Sequence, residues 1–332
     1  MPKATRKWTF DEISKIYHQP YLELIYQAAT VHRRHHDPSE IQVCTLQSIK
    51  TGDCSEDCGY CSQSAHHETG VVEENLLKLE EVLRKAKAAK AAGSTRFCMG
   101  AAGRQVKDDQ DFETITEMIQ GVSSMGLEVC CTLGMLSPEQ AKRLKKAGLY
   151  AYNHNLDTSE KFYPNIVSTR SYEDRLNTIG HVLDAGISLC CGGILGMGEK
   201  DEDRIALLAT LAKLETSPES IPVNALVPIK GTPMQQNEPV SIWEVVRMIA
   251  TARIVFPETM VRLSAGRENL SYEHQAMCFL AGANSIFSGS KLLTTPNKEI
   301  SQDQELFSLL KLTQRKPYKD QFEVQNKFKK AL

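Results

Sequence analysis

Apolar residues recur along this chain at two different intervals. Up to about residue 40 the interval is helical. Phe10, Ile13, Ile16 and Tyr17 fall on one face, and Tyr21, Leu24, Ile25 and Ala28 repeat the pattern. From Ile41 onward, short β-branched or otherwise apolar runs alternate with longer helical stretches. Strands are expected near 41–48, 95–101, 127–133, 150–156, 187–194, 222–229, 259–265 and 284–288. Helical patterns such as Leu76 to Ala92 and Ser137 to Ala147 lie between them, and Gly93, Gly126, Gly148 and Gly186 stand where such helices should stop. Strand–helix units repeated in this way predict an α/β chain folded as a parallel (β/α)8 TIM-type barrel with an N-terminal helical extension. A doubly wound open sheet is the alternative, but no glycine-rich dinucleotide loop follows the first strand. The expected boundaries are 1–40 for the extension, 41–295 for the barrel, and 296–332 for a C-terminal helix and a lysine-rich mobile tail. The run Val31 to His36, with His32, His35 and His36, reads as a solvated helix end.

Composition narrows the classes of function. The chain of 332 residues is 41% apolar and 24% charged, which is ordinary for a globular protein. Its formal net charge of −2 gives no global reason to expect nucleic acid or an anionic membrane as partner. No apolar run approaches the roughly 20 residues that span a bilayer. The basic start, Met1 to Trp8, runs into Asp11 and Glu12 without the apolar stretch of a secretory signal, so a cytoplasmic location is expected. Ten cysteines then change the picture. A chain of this size needs no disulfide staples, and thiols kept reduced are available to metals or clusters.

Three of them are crowded into one segment, Cys54-Ser55-Glu56-Asp57-Cys58-Gly59-Tyr60-Cys61. It directly follows the first strand, which in a barrel places it at the C-terminal face where active sites form. Zinc sites pair two cysteine or histidine knuckles, and no partner knuckle stands at a suitable distance here. A cubane iron–sulfur cluster is normally held by four thiolates. Three would leave one iron open to a chelating ligand such as S-adenosylmethionine, whose S–C5′ bond one electron can then break. The alternative is a zinc or redox loop with a distant fourth ligand. The spacing Cys-x3-Cys-x-aromatic-Cys, with Tyr60 as the aromatic, resembles the radical S-adenosylmethionine superfamily.

A second set is spread over several strands. Side chains on a strand alternate faces. In Glu128–Thr132, Cys130 and Thr132 share one face while Val129 and Cys131 share the other; Cys190 and Gly192 share a face, as do Arg262, Ser264 and Gly266. With the aliphatic residues turned to the helices, Cys98, Cys130, Cys190 and Arg262 are expected inside the barrel. A buried arginine needs an anionic partner, and a thiolate-bound cluster would be one. Any single cysteine of this kind can equally be a small packed hydrophobe. That reading is adopted for Cys44, Cys131, Cys191 and Cys278.

Six runs carry a closer resemblance, to the biotin synthase family, over about residues 10 to 300. They are Ser48–Gly52, Arg96–Ala102, Tyr152–Thr158, Val227–Pro233, Val261–Glu268 and Gly282–Phe287. The resemblance implies a barrel enzyme, usually dimeric, that inserts sulfur between C6 and C9 of dethiobiotin. It implies a 4Fe–4S cluster on Cys54, Cys58 and Cys61, and an auxiliary 2Fe–2S cluster on Cys98, Cys130, Cys190 and Arg262 that donates sulfide. It further implies S-adenosylmethionine contacts from Tyr60, Asn155, Asp157 (ribose hydroxyls) and Arg175 (methionine carboxylate), and dethiobiotin contacts from Asn155 and Asn224. An external donor of the flavodoxin or ferredoxin type would supply the electron. Gly59 departs from the family, where lysine is common, and Cys131 and Cys191 add thiols beside two of the implied ligands. A bulge would exchange the members of either pair. Two rival readings are a superfamily barrel that uses the first cluster only, and a non-catalytic metal or electron-transfer protein.

Overall fold

Residues 7–318 are described by the structure, a computed structural model. Eight parallel strand positions close on themselves. They are β1 (Glu40–Lys50), β2 (Arg96–Ala101), β3 (Glu128–Thr132), β4 (Ala151–Asn153), β5 (Ser188–Cys190) with its continuation β6 (Gly193–Leu195), β7 (Ser220–Ala225), β8 (Met260–Leu263) and β9 (Ser285–Phe287), and β9 pairs back onto β1. β5 and β6 hold one register on β7, with Cys190 opposite Ser220 and Gly193 opposite Val223. They are one barrel strand interrupted at Cys191 and Gly192. There the chain beyond β4 joins in, because Asp157 donates its N–H to Gly192 and accepts from that of Ile194.

Helices α1 (Phe10–Tyr17) and α2 (Tyr21–His35) precede the barrel. α3 (Leu79–Ala91), α4 (Gln110–Ser124), α5 (Pro138–Ala147), α6 (Tyr172–Asp184), α7 (Asp201–Lys213), α8 (Ile242–Val255), α9 (Tyr272–Leu280) and α10 (Ile300–Leu310) follow successive strands. α5 shows how the sequence sets such bounds. Ser137 and Gln140 form a reciprocal capping box, Pro138 opens the first turn, and Gly148 ends the helix at φ 101°. A residue with a Cβ is strained in that left-handed conformation, whereas glycine is not. Gly93, Gly126 and Gly186 likewise stop helices at positive φ.

Period-two alternation sorts the barrel into two cores. Phe97, Met99, Val129, Cys131, Leu189, Cys191, Val261 and Leu263 point outward and pack with the helices. Cys44, Cys98, Cys130, Ala151, Cys190 and Phe287 form a separate inner cluster. Cys98 lies opposite Cys130 and Met99 opposite Cys131, so no bulge shifts this pair of strands. The inward members of the cysteine pairs are therefore Cys130 and Cys190.

The N-terminal floor of the barrel is closed by charge. Fully buried Arg96 donates to Glu128 at 2.9 Å and, in a fork, to both Glu219 oxygens at 2.9 and 2.8 Å. Tyr318 N–H reaches Glu128 at 2.6 Å, and β12 (Thr313–Gln314) pairs with the start of β1, so the C-terminal segment is tied across this end. At the opposite end, the antiparallel pair β10 (Lys291–Leu292) and β11 (Thr295–Pro296) stands at the barrel mouth. The expected mobile tail falls mostly on 319–332, outside the described residues.

One expectation is corrected. Of the Val31–His36 run, Arg33, Arg34 and His35 are exposed as expected, but His32 is only 3% exposed. The end of α2 meets buried Arg253 of α8, whose guanidinium is held by the carbonyls of Pro257, Thr259 and Gly282 and lies 3.0 Å from His36 Nε2. Burial, and then the Arg253 charge, push His32 down to about 3 and His36 to about 4. Both rings stay neutral in the fold but take up protons in the unfolded chain below about pH 6.5. Their contribution is thus complete above that pH and is lost as pH falls toward the folded values, by at most about 1.4 kcal/mol per pH unit for each ring. Urea unfolding measured from pH 7 to pH 5 should show falling stability, and His32→Leu should flatten the slope. A slope identical in the variant would place His32 in solvent.

Candidate active site

The long β1–α3 connection carries the three-cysteine motif, and its backbone is pinned on several sides. Thr51 and Glu74 exchange backbone hydrogen bonds at 3.1 and 2.9 Å, Cys54 N–H donates to Gln63 at 2.9 Å, and Cys61 N–H donates to Cys58 at 2.9 Å. Gly59 N–H reaches the Ile166 carbonyl at 2.8 Å, and Asp57 accepts from the amides of Ser168 and Thr169. Two separate connections thereby form one rigid rim. Burial pushes the Cys58 thiol up to about 12 and Cys61 to about 11. Such thiols stay protonated in water and lose the proton when a metal replaces it, unlike reactive thiols with depressed values.

Beneath the rim lies a cavity of about 340 Å³ that reaches down into the barrel. Every residue singled out from the sequence lines it. Cys54, Cys58, Tyr60 and Cys61 come from the rim; Asn155, Asp157, Arg175 and Asn224 from the mouth; Cys98, Cys130, Cys190 and Arg262 from the barrel wall.

Asp157 sits just past β4 at φ 66°, a left-handed conformation that aspartate tolerates better than most residues. Its Oδ2 accepts from Arg175 Nη2 at 2.6 Å and from the Tyr60 hydroxyl at 3.0 Å, and Arg175 Nε donates to the Tyr163 hydroxyl at 2.9 Å. The carboxylate and guanidinium expected on different parts of one ligand are thus paired with each other. Burial, and then the Asp157 charge, hold the Tyr60 hydroxyl well above its ordinary range, so it remains a donor. Asn155 spends its carbonyl on Gly192 N–H and Asn153 Nδ2, both at 3.1 Å, which leaves its amide N–H groups to offer. Asn224 joins β6 to the segment after β8 by donating to Gly193 and accepting from Ala265 N–H.

Within the barrel the thiols of Cys44, Cys98, Cys130 and Cys190 form one buried row. The neighbouring Cys190 and Cys98 thiols hold the Cys130 thiol below its ordinary range. Arg262 ends the row. It is 1% exposed and donates to Cys190 Sγ at 3.5 Å, Ser285 Oγ at 3.0 Å and Gln42 Oε1 at 3.4 Å, with its guanidinium 4.8 Å from the Phe287 ring centre. Among the described residues no carboxylate pairs with it. A buried cation beside thiols and without a carboxylate suits an anionic, thiolate-held group. Among the described residues, no three His, Cys, Asp or Glu side chains close round a single metal ion. A two-iron core asks instead for ligands spread over its two ends, as along this row.

Two residues escaped the sequence reading. Arg170 and His154 line the cavity; among the described residues the buried Arg170 Nε and His154 Nε2 have no hydrogen-bond partner, and burial keeps the His154 ring neutral. Cys44 is packed as expected, but in the inner cluster rather than against the helices.

Comparison with known proteins follows this geometry. Residues 48–211 match the radical SAM superfamily, and residues 222–313 match the biotin and thiamin synthesis associated domain. Methylornithine synthase superposes with a TM-score of 0.79 at 17% identity, covering 95% of this chain and 96% of its own. An FeFe-hydrogenase maturase from Carboxydothermus hydrogenoformans gives 0.78 at 18%, covering 93% and 76%. These two likenesses show the fold. A three-cysteine rim over a parallel barrel of this kind defines a radical S-adenosylmethionine enzyme. Biotin synthases from Cytophaga hutchinsonii (58% identical; 96% of this chain, 95% of that one), Gloeobacter violaceus (59%; 93% and 98%) and Arabidopsis thaliana, mitochondrial (57%; 93% and 82%) align along almost the whole length. The chain belongs to the biotin synthase family.

The site depends on close backbone approach at Gly192, where an added Cβ would lie 2.0 Å from the Pro222 carbonyl oxygen. Gly192→Ala should lower stability by about 2 kcal/mol or more, because backbone rather than a side-chain tip must move. A thermal melt within a degree of the parent would show that the strands have room.

Proposed function

We propose that this chain is a biotin synthase that inserts sulfur between C6 and C9 of dethiobiotin, using S-adenosylmethionine. The observation that carries the reading is the pairing of two thiol sets on one cavity, three at its rim and a row inside beside an uncompensated guanidinium. Cys54, Cys58 and Cys61 would hold the 4Fe–4S cluster, and Cys98, Cys130, Cys190 and Arg262 the 2Fe–2S cluster. When bound, these groups supply one-electron cleavage of the sulfonium and the sulfide that the substrate carbons take up.

The remaining residues position and enclose. Asp157 can accept hydrogen bonds from both ribose hydroxyls while Tyr60 steadies it. Arg175 spends donors on Tyr163 and Asp157 but has five N–H groups, so donors remain for the methionine carboxylate. Arg170, unpaired at the same wall, adds positive charge there. Asn224 keeps one N–H and a lone pair for the ureido ring after bridging its two strands, and Asn155 offers N–H groups between nucleoside and substrate. The Arg96 network closes the floor, and none of Arg96, Glu128 and Glu219 lines the cavity. Exclusion of water would guard reactive intermediates against side reactions. Family membership supports an external flavodoxin- or ferredoxin-type donor, a homodimer and a cytoplasmic setting. Among the described residues no helix is long and apolar enough to cross a membrane.

The test is anaerobic incubation with dethiobiotin, S-adenosylmethionine and a reductant, with biotin and 5′-deoxyadenosine assayed together. The parent should yield both. Cys54→Ala should yield neither, and Cys130→Ala should retain some cleavage with no biotin. Biotin formed at the parent rate by Cys130→Ala would sink the assignment of the interior set.

A further inference from the structure

Cys44 is the one interior thiol left without a role by the ligand set proposed above. It is fully buried on β1, opposite Arg96 on β2 and Phe287 on β9. A cysteine used as a small hydrophobe would need only apolar neighbours. Cys44 instead shares the inner cluster with Cys98, and its Sγ lies 3.8 Å from Ser285 Oγ. The same hydroxyl accepts from Arg262 Nε at 3.0 Å. One hydroxyl group thus separates the spare thiol from the guanidinium. Arg262 lines the cavity and Cys44 does not, so Cys44 lies behind the wall that Arg262 helps to form.

The two groups differ sharply as iron ligands. A guanidinium holds its proton to above pH ~12 and must surrender it to bind a metal. A thiolate is the ordinary ligand of an iron–sulfur cluster. We propose that Cys44 is an alternative fourth ligand of the interior cluster, exchanging with Arg262 on the same iron. This rests on the interior set holding a cluster. The exchange is balanced without an electron. The Cys44 S–H bond breaks and an Fe–S bond forms, while the Fe–N bond to Arg262 breaks and that nitrogen takes the proton. Arg262 is then a guanidinium beside a thiolate-bound iron, the pairing its burial favours.

The test uses the full chain with Cys54, Cys58 and Cys61 all replaced by Ala, so that only the interior site can take up iron and sulfide. This parent, Arg262→Leu, Cys44→Ala and the Arg262→Leu/Cys44→Ala double variant are reconstituted anaerobically. Iron per chain, resonance Raman Fe–S stretches and the half-life under a chelator are measured. Arg262→Leu should keep its cluster with an all-thiolate spectrum, and the double variant should lose it at least tenfold faster. Equal half-lives and spectra for Arg262→Leu and the double variant would overturn the role of Cys44. No iron in the parent would instead bring down the interior cluster itself, and this inference with it. Arg262→Gln gives the same comparison if Arg262→Leu fails to fold. Cys278→Ala, a buried thiol in the outer core, should leave the half-life of the parent unchanged.

Discussion

A charge inside a closed barrel must be answered within the barrel, and the way this is done for Arg96 shapes everything above it. Glu128 and Glu219 together bring two negative charges to one guanidinium. Removing either partner of such a pair typically costs about 3–5 kcal/mol, because the remaining charge stays buried. The same Glu128 also accepts from Gln42 Nε2 at 3.2 Å, and the Gln42 carbonyl oxygen accepts from Arg262 at 3.4 Å. Gln42, a neutral amide, thus links the floor network to Arg262. Arg262 is oriented from below but not neutralised, which leaves its charge directed at the row of thiols.

The upper part of the site follows a different logic. Its side chains stand on connections after the strands, and those connections are tied to one another as well as to the barrel wall. The cysteine loop holds the 166–169 segment through Gly59 and Asp57, and Asp157 bridges to Gly193 across the interruption between β5 and β6. Tyr60 comes from the β1–α3 connection, Asp157 from the β4–α6 connection and Arg175 from α6, and hydrogen bonds join them into one unit. The lower set is rigid because strands place it. The upper set is rigid because each loop is a partner of another.

Much of this was legible without coordinates. The strand positions, the glycine stops and the inward assignment of Cys98, Cys130, Cys190 and Arg262 all follow from periods of two and 3.6. The solvated reading of His32 failed for a physical reason. A run rich in basic residues looks like surface by composition, yet carbonyl groups from several connections can hold an arginine such as Arg253 underneath it. Arg170 and His154 were missed because loop residues carry no periodic signal.

What the chain determined by itself is which face each strand residue takes, where the helices stop, and that a loop after β1 bears three thiols. These are local matters, set by backbone geometry and side-chain alternation within a few residues. Only the tertiary structure decided which separated residues meet: Cys44 with Cys98, Asp157 with Arg175, Gln42 between Glu128 and Arg262. Those pairings depend on the stagger at which the closing strands register and on the course of the loops. Neither is encoded in any single segment, because each is fixed by how all the strands fit round one ring.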